Sequence, residues 1–516
     1  MADLGNMNDL NNALGFDPNK QDKDQKKKLI ITIVSVLVIG LILILIILMI
    51  NSNQKPTVIV VEGNTYNEVV PNYIYQEVSQ DMIIDDETQE MNRNNGLIDI
   101  VWIDKENRMI DIPLKPEIGD LTPIKYDSTV ANFVTVDPKD PSWYDYSKNM
   151  WANSMNSDGS YFVWIPRYAY KITYYADRNY TRVIGYADSR GVLKIDDSNT
   201  SSQGQRLIRI EKNSSALETV GDHYIVHPAF MRDAINNYEN GGWDIGISGF
   251  WVSKYEAGME SDGVNVDTNT AQIGDVKVSQ NIKAVSKPTI KPWRNISIGN
   301  AYYNGLNYDK AKQSHILKNS EWSAVTYLAD SIYGRNGTLI NSNSEFTTGG
   351  SNNLTVVYFQ NGGQSSTNNV TGVFDLAGGV SEATAAYINN GFSALAQYGG
   401  TEEDMLCSTD KSSKFKTIYK HSNMDQGTNN YKSEIVLANY ELCNNRRGDA
   451  IFETSNSGVG NSSWFNNFSY FMAEDVPFIA RGGDVLAMDG SGIFSYVASI
   501  GQATESIGFR IALVIQ

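Results

Sequence analysis

A chain of 516 residues is longer than one ordinary domain, and its 41% hydrophobic and 11% aromatic residues suffice for a packed core, which excludes global disorder. Its 42 basic and 59 acidic residues give a net charge of −17, and a chain that acidic repels the phosphate backbone of nucleic acids. Two cysteines and four histidines are too few for a disulfide scaffold, a cysteine-rich zinc site or an iron–sulfur cluster. The 42 glycines, 13 prolines and 29 tyrosines favour a strand-rich protein with many loops.

The first feature along the chain is an uncharged apolar segment, residues 29–50. As a helix its 22 residues would span roughly 33 Å, enough to cross a bilayer, at about 1.5 Å per residue. A secretory signal peptide is the alternative, but the segment is too long for one and no A-x-A-like cleavage site follows. The segment is preceded by five lysines, Lys20, Lys23, Lys26, Lys27 and Lys28. The positive-inside rule therefore predicts one span, a cytoplasmic tail at 1–28 and the bulk of the chain outside the cell.

The residues after the span divide into three predicted parts. Residues 51–95 mix one strand-like run with polar stretches and resemble a stalk. Residues 96–150 are predicted to be a small β module, because apolar and polar residues alternate on both sides of a turn at 104–107. Residues 151–516 form the main domain, with short aromatic runs between Gly/Asn/Ser loops. Apolar spacing predicts one helix over 320–332 and a weaker one over 302–317.

Five motifs of the main domain occur in the order seen in one known family. They are GFWVSKYEAG at 249–258, KNSEWSA at 318–324, TGVFDLAGGVSE at 371–382, RGGD at 481–484 and GFRIA at 508–512. Together they resemble the formylglycine-generating-enzyme-like (sulfatase-modifying factor) domain. That resemblance implies an α+β, loop-rich, C-type-lectin-like fold, which here would stand behind the predicted transmembrane helix and small β module. Upstream, YFVWIPRYAY at 161–170 resembles a segment of exported proteins of Gram-positive gut bacteria, so the expected location is a bacterial cell membrane.

The motif residues also have a structural interpretation. Two glycine pairs, Gly378-Gly379 and Gly482-Gly483, indicate positive φ or close approach of two backbone segments, and Gly508 is a further structural residue of the motifs. Phe509 in the terminal strand is predicted to be a core anchor. Arg481 and Arg510 are the arginines of the motifs, and Arg510 is expected to pair with a buried carboxylate. The candidate partners are Asp375, Glu256 and Glu321.

Catalysis by the family's mechanism is not expected. The oxidases of this family need two reactive cysteines just after the RGG motif, whereas residues 484–497 contain none and Cys407 and Cys443 lie upstream. A three-histidine iron site is not expected either, since His223 and His227 lack a third ligand. We therefore predict no enzyme and no cofactor. The acidic loop 260–267 leaves two possibilities open, a calcium ion or a solvated loop, and its spacing is not that of an EF-hand.

The two cysteines leave two alternatives. Cys407 and Cys443 are 36 residues apart on the predicted outside of the cell, where a disulfide would close a loop. The other alternative is two buried free thiols.

The C-terminal stretch also resembles the ligand face of variable proteins of diversity-generating retroelements, which share the closing GFR. The corresponding residues here are 484–506, which are rich in small and polar side chains. The residues predicted to be exposed ligand contacts are Asp484, Asp489, Ser491, Tyr496, Gln502 and Thr504.

The sequence thus predicts a single-pass cell-surface binding or adhesion protein with an inert domain and an extracellular glycan or protein ligand. Two other functions stay open at this point. One is an extracellular enzyme of the same superfamily with relocated chemistry, which a bound metal or cofactor would favour. The other is a structural envelope protein, which self-assembly without a ligand would favour.

Overall fold

The computed structural model describes most of the chain after residue 95. The described residues are 96–176, 185–187, 193–195, 206–209, 219–220, 224–232, 241–261, 264–265, 274–350, 358–408, 414–420, 448–454, 463–473, 475–487 and 490–516. The predicted tail, membrane span and stalk (1–28, 29–50 and 51–95) lie outside them. Within the described ranges, no helix has the length and apolar character needed to cross a membrane.

The described residues are mostly strand and loop. The strands of the first half are β1 (Gly96–Ile103), β2 (Met109–Ile110), β3 (Thr122–Asp127), β4 (Asn132–Thr135), β5 (Asn153–Met155), β6 (Tyr161–Pro166), β7 (Tyr168–Ala176), β8 (Gly185–Ala187), β9 (Leu193–Ile195), β10 (Arg206–Arg209), β11 (Thr219–Val220) and β12 (Tyr224–Val226). Those of the second half are β13 (Gly249–Ser253), β14 (Gly258–Ser261), β15 (Val264–Asn265), β16 (Ile282–Val285), β17 (His315–Ile316), β18 (Ser381–Asn389), β19 (Thr417–Lys420), β20 (Ser469–Tyr470), β21 (Phe478–Gly482), β22 (Gly492–Ser499), β23 (Ile507–Phe509) and β24 (Ile511–Leu513).

Few helices accompany these strands. In the described ranges the α-helices are α1 (Ile298–Leu306) and α2 (Asn319–Asp330). Short 3₁₀ or π turns occur at Tyr146–Lys148, Pro228–Phe230, Lys310–Lys312, Tyr358–Gln360, Gly362–Gln364, Leu395–Gly399, Phe452–Thr454 and Trp464–Asn466. A strand-rich, loop-rich chain with few helices agrees with the composition.

The predicted hairpin is confirmed, but the module around it is not a separate unit. β1 and β2 pair in antiparallel fashion, with Trp102 opposite Ile110 on either side of the predicted turn. β1 then pairs along its length with β7, and β3 pairs with β5 in a sheet ordered β17-β24-β13-β6-β5-β3-β4. Strands from before and after residue 150 therefore share two sheets, and the described residues from 96 onward belong to one compact unit. β1 and β3 therefore have one partner before residue 150 and one partner after it.

Helix α2 forms where the sequence predicted it. It begins after Lys318, whose backbone N–H donates to the Glu321 carboxylate at 3.0 Å, a bond that satisfies one of the free donors of the first turn. Its apolar face is fully buried, including Trp322 and Leu328. It ends at Asp330, so the predicted last residue, Ile332, lies outside the helix and is 61% exposed.

Helix α1 is shorter than predicted and begins earlier. It spans Ile298–Leu306 instead of 302–317. The chain leaves the helix at Asn307, Gln313 takes a left-handed conformation with φ of 47°, and His315–Ile316 pairs with β24. Residues 307–314 lack the apolar repeat that would hold a helix against the core, so the chain forms a loop with a 3₁₀ turn at Lys310–Lys312 before strand pairing begins at His315.

The third large sheet carries the C-terminal motifs. Its order is β19-β18-β21-β22-β20, with β23 also paired to β18. β18 is buried along eight of its nine residues. One large hydrophobic cluster joins this sheet to α1, α2 and the sheet that contains β6 and β13. The five motifs therefore meet around one core, and the loops at its edges supply the surface.

Candidate ligand-binding site

The two glycine motifs contact each other. The N–H of Gly378 donates to the carbonyl of Gly482 at 3.2 Å. Gly378, Gly379, Gly482 and Gly483 have φ values of 74°, 69°, 85° and 70°, a region in which side chains other than glycine are strained. Gly508 also packs tightly, since a Cβ there would lie 2.6 Å from Val380 Cγ2. These residues hold the scaffold together.

Arg510 pairs with a buried carboxylate, but not with one of the three predicted candidates. Its guanidinium donates to Glu382, with Nε 2.9 Å from Oε2, and to the carbonyls of Ser253 and Phe374. Both charged side chains are buried. Glu382 lies on β18 directly opposite Gly508 of the parallel strand β23, which places it next to Arg510. Phe509 is fully buried, as predicted.

The three candidate partners have other roles. Glu256 accepts a hydrogen bond from Val380 N at 2.7 Å, and burial, followed by the charges of Asp375 and Glu382, raises its pKa well above the usual value. Asp375 accepts from Gly349 N at 2.7 Å, and burial raises its pKa to about 7. For Glu321, burial alone would raise the pKa, but the charges of His315 and Lys318 outweigh it and lower the pKa to about 2. All three side chains are buried inside the fold.

Two of the predicted ligand contacts are buried, which corrects the expectation that they are exposed. Tyr496 is 0% exposed, lies on β22, and has the Arg481 guanidinium 5.4 Å from the centre of its ring. Arg481 in turn donates to the carbonyl of Ala450 at 3.0 Å. Ser491 is 9% exposed and donates to the carbonyl of Asp484 at 2.8 Å. Alternation along β22 directs the side chain of Tyr496 into the core. The hydroxyl of Ser491 is used in the hydrogen bond that closes the loop 484–491.

The accessible predicted contacts do not form one face. Asp484 is half-buried in the loop that precedes β22, whereas Gln502 is exposed and Thr504 is half-buried in the loop that follows it. A strand of eight residues separates these loops by roughly 23 Å. Asp489 lies outside the described residues. The predicted contacts thus belong to opposite ends of a strand, and a single small ligand cannot touch both.

A buried serine and histidine contact each other in a geometry that does not support nucleophilic catalysis. His227 Nδ1 accepts from the N–H of Ala229, so the ring proton is on Nε2, which faces Ser323 Oγ at 2.9 Å. Ser323 donates to the carbonyl of Gly448 at 2.6 Å. Burial lowers the pKa of His227 to about 3. The imidazole therefore offers a proton to the serine instead of accepting one, and both side chains are fully buried.

The other chemical candidates give no reactive site in the described part of the chain. No group of three or more His, Cys, Asp or Glu side chains is placed to hold a metal ion among those residues. His223 lies outside them. Burial raises the pKa of Cys407 to about 12, while Cys443 lies outside the described residues, so the disulfide stays a prediction. In the acidic loop, Glu260 pairs with Lys287 at 2.7 Å, and most of the remaining side chains lie outside the described ranges.

A polar cleft of about 480 Å³ opens at the C-terminal end of α1. Three segments line it: the turn after β5 with Asn156–Asp158, the strand β16 with the residues before it, and the stretch from Tyr303 to Asp309. Its volume is within the range of about 300–1,000 Å³ found for small-molecule sites. Amide, carboxylate and phenol groups dominate the lining, so the cleft suits a ligand that forms many hydrogen bonds.

A chain of hydrogen bonds fixes the polar groups of this cleft. The Tyr308 hydroxyl donates to the Asp158 carboxylate at 2.8 Å and accepts from Asn156 Nδ2 at 3.0 Å. Burial, then the charge of Asp158, raises the pKa of Tyr308 well above the usual value, which keeps the hydroxyl protonated as a donor. Tyr303 is half-buried and has Lys277 Nζ 4.6 Å from the centre of its ring. The cleft is thus preorganised before any ligand binds.

Sequence reasoning missed this cleft. Asn156 and Tyr308 are 152 residues apart, and neither belongs to a recognised motif. The local signals are only an Asn-Ser-Asp-Gly turn at 156–159 and an Asn-Tyr-Asp run at 307–309, both of which are common in loops.

Comparisons with known proteins give no family assignment. No family model matches the chain, and no curated protein matches it. Among solved structures, the chain is similar to one described as Major Tropism Determinant I1 Variant, with 12% identity and a TM-score of 0.21 over 78% of this chain and 96% of that chain. A TM-score that low does not establish a common fold. The resemblance to the formylglycine-generating-enzyme-like domain therefore stays a prediction.

Proposed function

We propose that this chain is a membrane-anchored bacterial cell-surface protein that binds an extracellular ligand through a catalytically inert, loop-rich domain. The anchor is residues 29–50, with residues 1–28 in the cytoplasm. The ligand site is the polar cleft at the end of α1. The scaffold of the five motifs holds the loops that form this cleft.

The observation that carries this proposal is a polar cleft of about 480 Å³ whose lining residues Asn156, Asp158 and Tyr308 are fixed by hydrogen bonds to one another. By contrast, the histidine, serine and acidic groups considered above are buried in the core of the described part of the chain. His227, Ser323 and the three acidic residues around Arg510 are all at most 2% exposed. A reactive group that no substrate can reach does not act as a catalyst, so binding is the function that the geometry supports best.

The test is ligand binding by the full-length chain in lipid nanodiscs, screened against glycan and protein arrays. Ser157 lines the cleft and is exposed, so Ser157→Trp fills the cleft at little expected cost in stability. The matched control is Ser128→Trp, because Ser128 is exposed just beyond the end of β3 that is farther from the cleft. We expect Ser157→Trp to abolish binding and Ser128→Trp to retain it. Equal binding by both variants would exclude the cleft as the ligand site.

A further inference from the structure

We infer that Lys254 and Asn153 form a covalent cross-link, an isopeptide bond between the lysine amine and the carbonyl carbon of the asparagine amide. Asn153 lies on β5, and Lys254 directly follows β13. These two strands flank β6 in one sheet, so the bond ties three neighbouring strands together. It joins positions 101 residues apart, which restricts the unfolded chain and stabilises the fold. The cross-link is independent of any ligand of the cleft.

The amine of Lys254 is enclosed in the core without a negative charge beside it. The side chain is 0% exposed, and Nζ lies 5.1 Å from the centre of the Phe133 ring and 5.3 Å from that of Phe374. No carboxylate in the described part of the chain pairs with it, although a lysine this deeply buried is almost always paired. Burial lowers the pKa of Lys254 well below its usual value. The neutral amine keeps the lone pair that a nucleophile needs.

The hydrogen bonds of Lys254 also fit a neutral amine. Nζ donates to Asn153 Oδ1 at 2.9 Å and to the carbonyl of Gly372 at 2.7 Å. A neutral amine has two N–H groups, and these two bonds use both of them. An ammonium group has three, and the third would lack an acceptor among the described residues.

The amide of Asn153 is held in the orientation that the reaction requires. Its side chain is 1% exposed, and Nδ2 donates to the carbonyls of Trp151 at 2.9 Å and Thr371 at 2.7 Å. Because both acceptors are carbonyl oxygens, the amide nitrogen faces them and the amide oxygen faces Lys254. Cγ is one carbonyl bond, about 1.23 Å, beyond that oxygen, so a small rotation of the lysine side chain brings Nζ onto it. Two groups held in contact in this way react much faster than free groups in solution.

The reaction balances without a cofactor or an oxidant. The lone pair of Nζ forms a bond to Cγ of Asn153, which gives a tetrahedral carbon that bears both nitrogens. One proton moves from Nζ to Nδ2, the bond between Cγ and Nδ2 breaks, and ammonia leaves. Neither side chain has a hydrogen bond to a carboxyl group of the described residues that could carry this proton. We therefore expect the bond to form slowly, after the chain has folded.

The experiment measures the intact mass of the denatured full-length chain at intervals for several weeks after purification. We expect the mass to fall below the value calculated from the sequence by one ammonia molecule, about 17 Da. Digestion and tandem mass spectrometry should then identify one pair of joined peptides, which contain Asn153 and Lys254. Lys254→Met should keep its full mass. The matched control is Lys139→Met, at an exposed lysine, which should show the same deficit as the wild type.

The wild-type chain decides the result, so the test does not depend on whether Lys254→Met folds. A wild-type chain that still has its full mass at the last time point overturns the inference. A deficit of the same size that maps to another position overturns it as well. One such position is Asn336, which precedes Gly337 and would lose ammonia if it formed a succinimide.

Discussion

Asp330 provides the sharpest test of the electrostatics inside the fold. It is the last residue of α2, is 4% exposed, and neither carboxylate oxygen has a hydrogen-bond partner among the described residues. Burial raises its pKa from 3.8 to about 7. The C-terminal end of a helix carries partial negative charge, which also disfavours an ionised carboxylate. We predict that Asp330→Asn stabilises the protein at neutral and alkaline pH.

The sign and size follow from the raised pKa. The folded chain holds the proton more tightly than the unfolded chain does, so the contribution of Asp330 is most favourable below about pH 4 and is lost as the pH rises to about 7. A shift of about three units at about 1.4 kcal/mol each amounts to roughly 4 kcal/mol. Asparagine has nearly the same shape and cannot ionise. The free energy of unfolding of Asp330→Asn, relative to that of the wild type, should therefore grow by about 1.4 kcal/mol per pH unit between pH 5 and pH 7 and then level off.

The assay is urea unfolding of the full-length chain, wild type and variant, followed by tryptophan fluorescence at half-unit steps from pH 5 to pH 8.5. Titrations of other groups cancel in the difference between the two proteins. The control is Asp111→Asn at an exposed carboxylate, for which we expect a small change at every pH. A difference between Asp330→Asn and wild type that stays constant over this range would refute the reasoning.

Three further predictions test the scaffold and the anchor. Gly483→Val should lower the free energy of unfolding by about 1–3 kcal/mol without a selective effect on binding, because φ is 70° and a Cβ would lie 2.6 Å from Ser491 Oγ; an unchanged melting temperature would contradict this. Arg510→Met should destabilise the fold by about 3–5 kcal/mol in urea titrations, since it leaves Glu382 buried without its partner; a loss under 1 kcal/mol would show that the pair is dispensable. The full-length chain should stay with membranes through high-salt and alkaline washes because of residues 29–50, and release by salt alone would exclude a spanning anchor.

Several features were predictable from short stretches of sequence. Alternation around residues 104–107 predicted the β1–β2 hairpin, and the apolar repeat near Trp322 predicted helix α2. The paired glycines of the five motifs indicated positive φ or close backbone approach, and Gly378 and Gly483 have positive φ. In each case the deciding interaction lies within a few residues, so local periodicity and backbone sterics are enough.

The sites depended on contacts between distant residues. The partner of Arg510 is Glu382, 128 residues away, and the sequence offered three other acids of equal chemistry. Tyr496 was predicted from its polar tip to be exposed, but its register in β22 points it into the core. Local composition does not record which face of a strand is covered, because a shift of one residue exchanges the faces.

The protein as a whole, including the candidate site, divides in the same way into features set by short stretches of sequence and features set by contacts between distant residues. The sequence by itself determined the acidic surface charge, the apolar segment 29–50 and the scaffold motifs, since each is a property of composition or of a short run. Only the tertiary structure brought Asn156 against Tyr308, divided the predicted C-terminal face between the two ends of β22 and buried His227. The physical reason is that strand pairing and core packing join residues more than a hundred positions apart, and those long-range contacts decide which side chains a ligand can reach.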